Sequence, residues 1–120
     1  MMAKVRASVA YDTALADRIR QLVGDEPGLS EQKMFGGLAF LIGGNMAIAA
    51  SGQGGLLVRA DPERSEELVA STSAESMVMR GREMRGWLRV AAEDAATDEE
   101  LGRWVELGVG YAGSLPPKKR

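Results

Sequence analysis

Lys33-Met34-Phe35-Gly36-Gly37-Leu38-Ala39-Phe40-Leu41-Ile42-Gly43-Gly44-Asn45-Met46-Ala47-Ile48-Ala49-Ala50 is the stretch on which the fold turns. It holds two apolar runs, Met34–Ile42 and Met46–Ala50, separated by Gly43-Gly44-Asn45. A membrane span needs ~20 uninterrupted apolar residues. Residues 34–50 are too short for that and carry glycines and an asparagine in their middle. Gly-Gly-Asn between short apolar runs reads instead as a turn joining two buried strands. A third run, Gly54–Ala60, follows the Ser51-Gly52-Gln53 loop, and alternation in it sets Leu57 and Arg59 on the side opposite Leu56 and Val58. The three runs predict an antiparallel meander.

Working outward, Leu15, Ile19, Leu22 and Val23 recur at helical spacing between Asp12 and Val23, and Gly24 and Pro27-Gly28 close that helix. After the meander, Asp61-Pro62-Glu63 sets an N-cap, a first-turn proline and a first-turn acid, which predicts a short helix running to about Ala70. Ser71–Ser76 reads as a polar loop. Met77–Arg80 and Trp87–Val90 read as two strands, with Gly81–Gly86 as the loop between them. Thr97 and Glu100 have the spacing of a capping box. Leu101, Trp104, Val105, Gly108, Ala112 and Leu115 then line one helical stripe, which Pro116-Pro117 ends. The order α-β-β-β-α-β-β-α predicts an α+β domain, an antiparallel sheet of about five strands with flanking helices. Residues 1–10 read as a partly disordered extension, 11–117 as the domain and 118–120 as a basic tail.

Composition removes whole classes of chemistry. The 120 residues contain no cysteine and no histidine. That excludes disulfides, Cys/His zinc sites and every catalytic pair built on His or Cys. The formal charge is −2, from 15 Lys+Arg against 17 Asp+Glu. Such a balance gives no bulk attraction to nucleic acid or to an anionic membrane. The first ten residues lack the apolar core of a signal peptide, so a cytoplasmic protein is expected.

Each candidate site has a structural reading beside a functional one. Gly36-Gly37 is no phosphate cradle, because no Lys-Ser/Thr follows and no helix opens there. A bulge or a close backbone approach is expected instead. Lys33 before the Met34-Phe35 pair reads as a solvated gatekeeper, or as a charge offered to an acidic partner. Arg80, Arg82, Arg85 and Arg89 surround Glu83 and Trp87. Arginine forks and an aromatic ring suit phosphate or bases. Strand alternation would split these arginines between two faces, and Trp87 reads as core. The acids Glu63/Glu66/Glu67 and Asp98/Glu99/Glu100 suit helix first turns better than acid–base work. Met34, Met46, Met77, Met79 and Met84 are numerous for a small core. Core filling is the default for them, and an adaptable binding groove or dimer face is the alternative.

Taken in order, Lys33-Met34-Phe35-Gly36-Gly37, Gly44-Asn45-Met46, Leu57-Val58-Arg59, Gly86-Trp87, Trp104 and Ser114-Leu115-Pro116-Pro117-Lys118 resemble the N-terminal domain of the TfoX/Sxy family. The resemblance runs from about Tyr11 to Lys118. It implies a fold similar to secretion chaperones and a regulatory, non-enzymatic role, assisting transcription activation in bacterial competence through protein contact. Family regulators carry a second, helical C-terminal domain, and this sequence ends after the first. The resemblance supplies no catalytic residues and no cofactor. The expectation is therefore a protein-interaction module with an unidentified protein partner and no metal or cofactor. Lys33, Arg80, Arg82, Arg85 and Arg89 are its candidate surface. Direct nucleic-acid binding and a small-molecule site are the alternatives, and homodimerisation stays open.

Overall fold

The computed structural model describes residues 11–34 and 36–118. Phe35, the 1–10 extension and the last two residues of the basic tail lie outside them. Helix α1 (Thr13–Val23) leads into strands β1 (Leu29–Met34), β2 (Gly37–Ile42), β3 (Asn45–Ala50) and β4 (Leu56–Arg59). A 3₁₀ turn over Pro62–Arg64 and helix α2 (Ser65–Ser71) follow, then β5 (Glu75–Met79), β6 (Arg82–Val90) and helix α3 (Asp98–Ser114). The strands form one six-stranded antiparallel sheet in the order β1-β2-β3-β4-β6-β5.

The α+β class and the helix positions agree with the sequence reading, and the strand count is corrected from five to six. The run Met34–Ile42 is two strands rather than one. Met34 pairs with Gly37, so a two-residue hairpin turn lies within it, with Gly36 at φ +79°. The additional strand, β1, is a polar edge. Its four central residues, Ser30 to Lys33, are exposed, so backbone pairing rather than apolar burial recruits them. Gly81–Gly86 is likewise not a loop. Met79 pairs with Arg82, leaving Arg80-Gly81 as the turn, and β6 continues through Gly86.

Local chemistry accounts for the ends of the helices. The Asp12 carboxylate accepts from the amides of Ala14 and Leu15. Thr97 and Glu100 form the reciprocal capping box at the start of α3. Past α3, the Asn45 side-chain amide donates to the Pro116 carbonyl at 3.0 Å, and the Lys118 amide donates to the Gly43 carbonyl at 2.7 Å. The first residue of the expected tail is therefore tied to the β2–β3 turn. The Arg20 guanidinium grips the Glu31 carboxylate with two hydrogen bonds of 2.7 and 2.9 Å, pinning β1 to α1. Those hydrogen bonds hold the Glu31 carboxyl below its ordinary range.

One side of the sheet carries the main core. Phe40, Ile48, Leu56, Val58, Leu88 and Val90 pack there with Ile19 of α1, Leu68 of α2 and Leu101 of α3. Every member of this group except Leu68 is fully buried.

Candidate interaction face

Alternation along β2 sends Leu38, Phe40 and Ile42 toward the helices, and Ala39 and Leu41 to the other side. A bulge in β3 then redirects one key side chain. Phe40 pairs with Ile48 and Leu41 with Met46, so Ala47 is the extra residue. Ala47 and Ile48 both enter the core, and Met46 turns outward beside Leu41. The result is a second apolar cluster of Ala39, Leu41, Met46, Ala49 and Leu57, with Met34, Met77 and Trp87 half-buried against it. Met84 stands opposite Met77 in the β5–β6 ladder. Among the described residues, every apolar helix side chain that packs on the sheet belongs to the other cluster.

The expected core filling by methionine and Trp87 falls on the outer side of the sheet, where Met46 is buried in the second cluster and Met34, Met77 and Trp87 pack half-buried against it. The helix-covered core contains no methionine, so Met34, Met46 and Met77 are not its gap-fillers. Trp87 is half-buried on the outer side, whereas its strand neighbour Leu88 is fully buried in the core. The cavity between Met34, Met46, Leu57, Met77 and Arg89 holds only about 60 Å³. Metabolite sites occupy about 300–1,000 Å³, so the gap among these side chains is too small for a metabolite. Two wider grooves are half open to solvent. One, of about 370 Å³, is walled by Leu68, Thr72, Trp104 and Leu107. The other, of about 590 Å³, runs past Glu75, Glu93 and Asp94. Among the described residues, no hydroxyl lining either groove is hydrogen-bonded to a carboxylate. No group of three or more acidic, His or Cys side chains placed to hold a metal occurs among the described residues.

The predicted cationic residues are only partly brought together. Arg89 sits opposite both Leu57 and Glu75, lines the outer cavity, and donates from Nη1 to the Gln53 side chain at 2.6 Å. Arg82 lies opposite Met79. Arg85 donates to the Pro62 carbonyl at 2.9 Å, next to Gly86, whose φ of +85° interrupts the strand. Lys33 stands opposite Leu38 on the helix side of the edge strand, away from the arginines. Arg80 occupies the first of the two turn positions at φ 55°, the one non-glycine with positive φ among the described residues. A long side chain is strained there. Arg80→Asn is expected to raise stability by about 0.5–1 kcal/mol in urea denaturation, because an Asn-Gly pair suits this turn.

One residue of this surface was missed from the sequence. Arg59, the last residue of β4, lies opposite Trp87 with its guanidinium carbon 4.6 Å from the indole centre and 5.5 Å from the Tyr111 ring. The β4–β6 pairing that makes this contact skips α2 and β5, so no local pattern announces it. The available signal was the outward position of an arginine at the end of an otherwise apolar strand. Ion pairing divides the molecule. Arg18, Arg20, Arg64 and Arg103, all on or beside helices, pair with carboxylates. Arg59, Arg80, Arg82, Arg85 and Arg89 pair with none among the described residues.

These features define an α+β domain whose sheet packs one face under helices and carries on the other a second, buried apolar cluster rimmed by half-buried Met34, Met77 and Trp87, with Arg59, Arg82, Arg85 and Arg89 ion-paired to no carboxylate among the described residues. The family model of the TfoX N-terminal domain matches residues 21–112, and the chain belongs to that family. Comparison with curated proteins gave no match, and comparison with solved structures gave none. No described helix is long and apolar enough to cross a membrane.

Proposed function

We propose that this protein is a small cytoplasmic interaction module, a transcriptional co-regulator of the competence-regulator type, which docks a protein partner on the outer face of its sheet and performs no chemistry on it. One observation carries the reading: Met34, Met46, Met77 and Trp87 belong to a cluster on the outer side of the sheet to which, among the described residues, no apolar helix side chain contributes. Methionine adapts to irregular partner surfaces, and tryptophan is enriched at binding hot spots. Family membership supports a regulator-like role.

The test is retention from a bacterial lysate treated with nuclease, comparing the wild type with a Met34→Glu/Met77→Glu variant shown to be folded by circular dichroism. A stoichiometric protein held by the wild type and lost from the variant is the expected result. Equal retention by both proteins overturns the assignment of the face. A second reading, nucleic-acid binding, is favoured by Arg59 stacked on Trp87 and by the β6 arginines near it, none of which is ion-paired to a carboxylate among the described residues. It requires material that disappears with nuclease and an affinity that falls steeply with salt.

A further inference from the structure

We propose that Arg59 is the anchor of this face and takes a side-chain carboxylate from a partner segment in which an Asp or Glu is flanked by apolar residues. The inference rests on the interaction reading above and adds to it a specific residue and a partner chemistry.

Arg59 does little for the fold that an apolar residue would not do better. Its Nε is shut off from solvent and has no hydrogen-bond acceptor. Its guanidinium meets no carboxylate among the described residues. What holds it is aromatic: Trp87 from β6 and Tyr111 from α3 both lie within cation–π distance. An arginine fixed by rings keeps its planar fork ordered without using the donors at its edge, so little freedom is lost when a ligand binds. A carboxylate fits that edge in the plane of the fork through two parallel hydrogen bonds. Trp87 touches Arg59 and also packs against the cluster containing Leu41, Met46 and Leu57. A ligand gripping Arg59 therefore has its neighbouring residues beside half-buried Trp87, at the rim of the buried apolar cluster. Arg82 and Arg89, also ion-paired to no carboxylate among the described residues, extend the same charge preference along β6. The net charge of −2 works against a polyanionic strand and leaves a single acidic side chain among apolar neighbours as the fitting ligand.

A display library of random peptides, fused at their C-termini so that side chains supply the only carboxylates, is panned on the intact protein. The enriched sequence is then synthesised with fluorescein and a C-terminal amide, and titrated by anisotropy. Enrichment of Asp or Glu among apolar residues is expected. Arg59→Met should weaken that peptide at least about tenfold, as loss of a charge-assisted pair does, and Arg59→Lys should restore little of it. The melting temperature of Arg59→Met should equal or exceed that of the wild type, since the orphaned donor is removed. A residue that merely braced the sheet would lower it. Exchanging the peptide's acid for its amide should weaken wild-type binding as much as Arg59→Met does, with no further loss when the two changes are combined.

An empty library, peptides without acids, or undiminished affinity for Arg59→Met each overturn the proposal. If Met34→Glu/Met77→Glu abolishes binding while Arg59→Met does not, the face stands and the anchor falls. If neither change matters, both readings fall. Binding of a labelled oligonucleotide that depends on Arg59, without peptide binding, overturns the carboxylate assignment.

Discussion

Gly108→Ala is expected to lower folding stability by about 2 kcal/mol, against the direction that helix propensity alone dictates. Alanine is favoured over glycine inside a helix by about 1 kcal/mol. Here that gain is reversed by packing. Gly108 faces the β3 bulge, and a Cβ built on it would run into the Ala47 carbonyl oxygen, with the Val58 Cγ1 a further 3.5 Å neighbour. A backbone oxygen in the middle of a sheet cannot rotate aside as a side-chain terminus can. The whole helix must rise from the sheet, at a cost of about 1–3 kcal/mol or more for overpacking. Two other glycines of the same helix supply the control. Nothing lies within 4 Å of a Cβ at Gly102 or Gly110, so alanine at either should stabilise by about 0.5–1 kcal/mol. Urea denaturation of the three variants gives the comparison. Stabilisation by all three would mean that α3 does not sit on the bulge.

The capacity of the sequence to reveal this architecture depended on whether a feature is local. Helix α3 was readable because its cap and its stripe lie within one segment: Thr97 and Glu100 bond reciprocally, and Leu101, Trp104, Val105, Gly108 and Ala112 are all buried. The Gly43-Gly44 turn was readable because both residues need positive φ, +60° and +85°, which few other residues accept. Strand β1 was not, because an edge strand with exposed central residues has no apolar period to detect. The division of the sheet into two faces was half legible. Alternation separates Phe40 from Leu41, but the bulge at Ala47 shifts the register of β3 and decides which side Met46 joins. The arginines of β6 were visible as a cluster. Their shared lack of acidic partners among the described residues, and the approach of Arg59 to Trp87 and Tyr111, depend on pairings between distant segments.

Phe40→Ala and Met77→Ala should differ by about 3 kcal/mol or more, and this gap tests whether the outer face serves the fold or a partner. Phe40 is fully buried between the sheet and its helices. Truncating such a side chain removes its transfer energy and leaves a cavity that helix and strand backbones cannot close, with an expected loss of about 4 kcal/mol. In a domain whose whole stability is of the order of 5–15 kcal/mol, that is enough to leave little folded protein on modest heating. Met77 lies on the edge strand β5, half-buried on the outer side with no helix packed over it. Solvent and neighbouring flexible methionines can fill the space it vacates, so its loss should cost below about 1 kcal/mol. Thermal and urea unfolding read both values. A cost for Met77→Ala close to that of Phe40→Ala would make the outer cluster a second core, and the methionines would need no partner to account for them. A small cost means that folding gains little from the half-buried methionines at the rim of the outer cluster, and adaptable side chains of that kind are accounted for by what docks on them.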